Sequence, residues 1–171
     1  MRNKVIVALL AIAVCATFIA GMWPTTTSDI SAVTSATPTR TTVLVLTIGS
    51  ADMTVDGRMM TLDAPPVILE SRTLVPIRAV AEALGAIVSW DASTRTVTIV
   101  GQTASLSLVI GSSNAQVNGV SVSIDPANTK VVPVIMSGRT MLPVRFVVES
   151  LGAAVAYDAM MRRITITYSM P

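Results

Sequence analysis

From Val43 onward the chain sets out a pattern of apolar and polar positions and then repeats it. VLVLTI (43–48) is a leucine and β-branched run of strand length, ended by Gly49-Ser50. MTVDGRMMTLD (53–63) places two alternating segments about Asp56-Gly57, a pair suited to a type I′ hairpin turn because both central residues need positive φ. The second half follows suit with LSLVIG (106–111) and AQVNGVSVSID (115–125) about Asn118-Gly119. Farther on, RTLVPIRAVAEALGAIVSWD (72–91) and RTMLPVRFVVESLGAAVAYD (139–158) agree at 11 of 20 positions at a constant offset of 67. The turn pairs are 62 apart, so the second copy carries five extra residues, around Pro126–Val134, where a surface loop tolerates them.

Within these strings the period changes from two to 3.6. Ile77, Val80, Ala81 and Leu84 form one apolar stripe, and Val144, Val147, Val148 and Leu151 repeat it. Pro76 and Pro143 suit the first helical position, and Gly85 and Gly152 the left-handed residue just past the end. A helix of about ten residues is marginal alone and must be held against a sheet. Val88–Asp91 and Arg95–Ile99 close the first module with a hairpin, as do Val155–Asp158 and Arg162–Ile166 the second. The expected fold is α+β: two tandem modules, 43–100 and 103–168, each an antiparallel sheet packed on one short helix in the order β-β-β-(short β)-α-β-β. Units of this size are marginal alone, so a packed pair sharing sheet edges is favoured over two independent beads.

Ahead of the repeats lies a different composition. Arg2 and Lys4 precede an apolar run from Val5 to Trp23, the layout of an export signal or an anchoring helix over residues 1–23. The run nearly reaches the ~20 residues needed to span a bilayer; a cleaved signal is favoured over an uncleaved anchor. Either places the repeats outside the cytoplasm, in the extracellular space or at the cell surface, with membrane contact only through this segment. Residues 24–42, rich in Thr, Ser and Pro, read as a tether. Cys15, the sole cysteine, sits inside the apolar run and fits a lipidation signal poorly, so the repeats carry no disulfide.

Charge removes whole classes of function. Without Arg2 and Lys4, ten basic side chains face ten acidic ones, which gives no electrostatic footprint for nucleic acid. The chain has no histidine, so neither an imidazole metal site nor a histidine general base can be built. No catalytic residue, metal ligand or cofactor is assigned.

Arg72, Pro76, Arg78, Glu82, Leu84-Gly85-Ala86 and Trp90-Asp91, matched by Arg139, Pro143, Arg145, Glu149, Leu151-Gly152-Ala153 and Tyr157-Asp158, form a motif seen twice in register. It resembles the stalk domain named after the N-terminal domain of copper amine oxidases, over roughly residues 43–168. The resemblance implies a non-catalytic appendage, since amine oxidase chemistry belongs to a separate domain with histidine-bound copper. It also implies a setting, because similar tandem copies occur in secreted and surface proteins of Gram-positive bacteria, often beside cell-wall hydrolases.

The recurring polar residues have a bland reading and a sharper one. Arg78–Glu82 and Arg145–Glu149, four apart on a helix, suit surface ion pairs that could extend to Asp91 or Asp158. The sharper reading is a carboxylate–guanidinium group that grips a sugar or a peptide carboxylate. Asp63 and Asp125, which follow the hairpins, lack the spacing of a calcium loop or a glycosidase pair. Trp90 and Tyr157 suit packing; if exposed, they are the best candidates for ligand contact. The expectation is an exported, non-catalytic stalk or binding module that presents or binds envelope material, peptidoglycan or a surface protein. The alternative is a secreted regulator of a wall hydrolase or protease, acting through an edge strand or the 126–138 loop. Self-association through sheet edges is left open by the residues.

Overall fold

The computed structural model describes residues 40–170; the signal or anchor at 1–23 and nearly all of the tether lie outside them. Each repeat lays down five strands, one helix and two strands. In the first these are β1 (Thr41–Thr47), β2 (Asp52–Val55), β3 (Arg58–Thr61), β4 (Val67–Leu69), β5 (Arg72–Pro76), α1 (Ile77–Ala83), β6 (Ile87–Asp91) and β7 (Thr96–Val100). In the second they are β8 (Ser105–Val109), β9 (Asn114–Val117), β10 (Val120–Ser123), β11 (Val134–Met136), β12 (Arg139–Pro143), α2 (Val144–Ser150), β13 (Ala154–Asp158) and β14 (Arg163–Ser169). The α+β expectation holds, with two short strands before each helix where the sequence suggests one.

The sheets do not follow the repeats. One runs β13-β14-β1-β2-β3, so the last hairpin of the second repeat completes the opening strands of the first. Another runs β10-β9-β8-β7-β6, the same design with the repeats exchanged. The third, β11-β12-β5-β4, joins the two central hairpins. All pairings are antiparallel, and the registers match: Leu44 faces Ile166 across β1–β14 as Leu106 faces Ile99 across β8–β7. Between β5 and β12, Val75 pairs with Leu142, its own counterpart 67 residues on. The local two-fold relation between the repeats therefore centres on that pair, and both side chains are fully buried.

Period-two alternation accounts for the strands. In β1, Thr42, Leu44 and Leu46 are buried while Val43, Val45 and Thr47 are not. Asp56 and Asn118 adopt the positive φ expected of them, as do Gly57 and Gly119. Their side chains also staple the hairpins: Val43 N–H donates to Asp56 Oδ1 at 2.8 Å, and Ser105 N–H to Asn118 Oδ1 at 2.9 Å.

The predicted helical stripes are all buried. Each helix has seven residues rather than ten. Pro76 and Pro143 stand one place earlier than expected, at the N-cap, because each is still the extended last residue of its strand. Gly85 and Gly152, at φ +78° and +87°, end the helices. Ala86 N–H reaches Ala81 O and Gly85 N–H reaches Glu82 O, a Schellman closure repeated by Ala153 to Val148 and Gly152 to Glu149. One hydrophobic core draws on both repeats, with Leu44, Val75, Val80, Ile99, Leu106, Leu142, Val147 and Ile166 all fully enclosed. Burying each such aliphatic side chain stabilises the fold by ~1.5–3 kcal/mol.

The five-residue insertion is tied down. Asp125 Oδ1 accepts from Ala127 and Asn128 N–H, Val131 enters the core, and Asn128 Nδ2 donates to Glu70 O of the other repeat. The strands at 67–69 and 134–136, at the ends of the third sheet, remain edges, as do β6 and β13.

Candidate functional site

Exchange of strands brings the motif arginines to carboxylates of the opposite repeat. Arg72 Nε donates to Asp125 Oδ2 at 2.6 Å, and its counterpart Arg139 Nε lies 3.0 Å from Asp63 Oδ2. Asp63 and Asp125 are thus guanidinium partners. The first pair is the better shielded, with side-chain exposures of 42% and 12% against 50% and 56%. Burial pushes the Asp125 carboxyl up. The Arg72 hydrogen bond, the Ala127 N–H, the Arg72 charge and the Asn128 N–H outweigh that and hold it below the usual carboxylate value.

The helix-surface residues behave differently. Arg145 Nε sits 3.8 Å from Glu149 Oε1, an exposed i,i+4 pair. Arg78 and Glu82 form no such pair, and among the described residues Arg78 makes no side-chain hydrogen bond. Nor do the pairs extend to Asp91 or Asp158, as the sequence allowed. Those carboxylates fold back on their own turns: Asp91 Oδ1 accepts from Ser93 Oγ at 2.7 Å and Ser93 N–H at 2.8 Å, and Asp158 Oδ1 from Met160 and Met161 N–H. The Ser93 hydroxyl, followed by the Ser93 N–H, lowers the Asp91 carboxyl from 3.8 to about 2. Both turns then close through a left-handed arginine, Arg95 or Arg162.

Two clefts lie at equivalent places. The larger, about 270 Å³, is lined by Pro76, Ile77 and Arg78 at the strand–helix junction and by Val88, Ser89 and Trp90 of β6. Ile135, Arg139 and Thr140 of the second repeat, with Asp63, form its other side. The smaller, about 190 Å³, is lined by Pro143, Val144, Arg145, Val155 and Tyr157, facing Ile68, Ser71, Arg72 and Thr73. Each cleft therefore holds an aromatic residue, two arginines, a threonine and an edge isoleucine, drawn from opposite repeats. Trp90 is 38% exposed and Tyr157 45%, so both rings are open to a ligand. Ile68, Ile135, Thr73 and Thr140 were not singled out from sequence; their signal was the constant offset that aligns the two copies.

Among the described residues no group of three or more His, Cys, Asp or Glu side chains is placed to hold a metal. Nor is any described helix long and apolar enough to cross a membrane. What the fold and the clefts define is a repeat-built α+β module with two equivalent recesses. The family model for the copper amine oxidase N-terminal domain matches the chain twice, over residues 26–99 and 54–166. The chain belongs to the copper amine oxidase N-terminal domain family, whose domain is a non-catalytic module. No curated protein matches it.

Proposed function

We propose that this chain is an exported, non-catalytic binding module that works at the surface of a Gram-positive cell and holds envelope material. The observation that carries the reading is the exposure of Trp90 and Tyr157 in two equivalent clefts. Large rings that serve packing alone are mostly covered. These two rings instead leave much of their surface in solvent beside arginines, as residues that contact a ligand do. The apolar run at 1–23 and the Thr/Ser/Pro-rich stretch at 24–42 support export and display.

The test is co-sedimentation of the protein with isolated Gram-positive cell walls over a range of salt. Saturable binding that survives high salt is expected, and Trp90→Ala with Tyr157→Ala should weaken it by about ten-fold, a loss of ~1.4 kcal/mol. Absence of wall binding by the unaltered protein would end this reading and direct attention to a protein partner.

A further inference from the structure

We infer that each of the two clefts is a receptor for a carboxylate-bearing pyranose, one sugar unit of an envelope polymer; this rests on the envelope-binding reading and names the chemistry it would recognise. Charge gives the first reason. In the larger cleft Arg139 is balanced by Asp63 at 3.0 Å, while Arg78 has no ion-pair partner among the described residues, so one guanidinium is left over. In the smaller cleft Arg72 is committed to Asp125, and Arg145 has only an exposed contact with Glu149 at 3.8 Å. A planar guanidinium with free donors matches a carboxylate in a two-pronged geometry.

The second reason is shape. Trp90 and Tyr157 offer an aromatic surface beside that charge, which suits a ring with an apolar face and a polar rim. At about 270 and 190 Å³ the clefts fall below the ~300 Å³ at which pockets for drug-sized molecules begin, and so suit one ring of a polymer. The third reason is repetition. The same combination of aromatic ring, helix arginine and threonine is assembled twice, each time from two repeats. The rival occupant is an extended peptide added to the open edge of β6 or β13. Main-chain pairing would require neither the aromatic ring nor the helix guanidinium, yet both clefts keep both.

The experiment is an NMR titration of the full chain with methyl glucuronide and, separately, methyl glucoside, read at the Trp90 indole N–H, which Trp90→Phe identifies. The glucuronide should shift the signal with millimolar affinity, and the glucoside should bind at least ~10-fold more weakly, the scale of one lost charged hydrogen bond. Arg78→Gln should erase the Trp90 response while leaving that of the Tyr157 ring, and Arg145→Gln should do the reverse. Equal responses to the two sugars, or a glucuronide response indifferent to Arg78→Gln, would overturn the inference. A Trp90 response to an extended peptide with none to the glucuronide would overturn it in favour of strand addition. Cell-wall co-sedimentation of the same samples separates the two levels: walls bound without any glucuronide response defeats the sugar assignment alone, whereas walls unbound defeats the envelope reading itself.

Discussion

Arg72 and Asp125, in different repeats and 53 positions apart, meet at 2.6 Å in a partly buried hydrogen-bonded ion pair. The equivalent pair, Arg139 and Asp63, is longer at 3.0 Å and more exposed. One sequence motif thus yields two contacts of unequal strength, the difference lying in what surrounds each carboxylate. Asp125 also caps the first turn of the inserted loop, so the five extra residues shield one pair and leave the other open.

Arg139→Ala is accordingly expected to cost only ~0.2–1 kcal/mol, the range of an exposed pair. Arg72→Ala should cost more, because it strands a half-shielded carboxylate and loosens the insertion. Urea midpoints of the two variants, with double-mutant cycles against Asp63→Ala and Asp125→Ala, decide the matter. A larger coupling for Arg139 than for Arg72 would contradict the account.

Acid should unfold this protein in a particular window. Asp91, lowered from 3.8 to about 2, and Asp125, also lowered, both ionise more readily folded than unfolded. Their contribution is complete above the unfolded value, near pH 4, and is lost as the pH falls through the folded values. Melting temperature should therefore hold level from pH 7 to ~4.5 and decline steadily towards pH 2. Ser93→Ala removes the hydroxyl and leaves the backbone donors, so a carboxyl NMR titration should find Asp91 part of the way back to 3.8.

Ser71 occupies a left-handed conformation, φ +62°, in the turn between β4 and β5, where the second repeat places Gly138 at φ +72°. A side chain in that region costs ~1–2 kcal/mol. Ser71→Gly should raise stability by ~0.5–1 kcal/mol once the greater freedom of glycine in the unfolded chain is subtracted. The reciprocal Gly138→Ser should lower it. Thermal melts of both variants provide the check, and the same sign for the two would defeat the argument.

Because two of the three sheets mix strands across the repeats and the third joins them, neither repeat should unfold alone. Leu142→Ala, at the fully buried centre of the β5–β12 pairing, should cost ~2–5 kcal/mol and still give one transition, with calorimetric and van't Hoff enthalpies equal. Two separable transitions would mean that the repeats are independent after all.

Much of this was legible in the residues, and the limit has a definite cause. Alternation about Asp56-Gly57, the stripe of Ile77, Val80, Ala81 and Leu84, and the stop at Gly85 each rest on local geometry, and each is found in place. The pairing of strands was not legible. Leu44 has the same alternating neighbours whether its partner is Ile99 or Ile166, since those two are themselves repeat equivalents. A repeat that keeps its pattern of apolar positions therefore does not distinguish closure within a copy from closure between copies. The clefts inherit that ambiguity: Arg78 and Trp90 stand out in the motif, but Ile135 and Arg139 reach them only through the exchange.

The antiparallel match of β1 with β14 sets Thr41 opposite Ser169, with Met170 N–H bonded to Arg40 O just beyond. Chain entering at Thr41 and chain leaving at Ser169 thus depart from the same end of one ladder. A pull applied between those two points would load its hydrogen bonds one after another, as in opening a zip, and the seam would part at low force. As a mechanical element, the fold yields when pulled by its two ends, because the seam between β1 and β14 opens from the end where both are held.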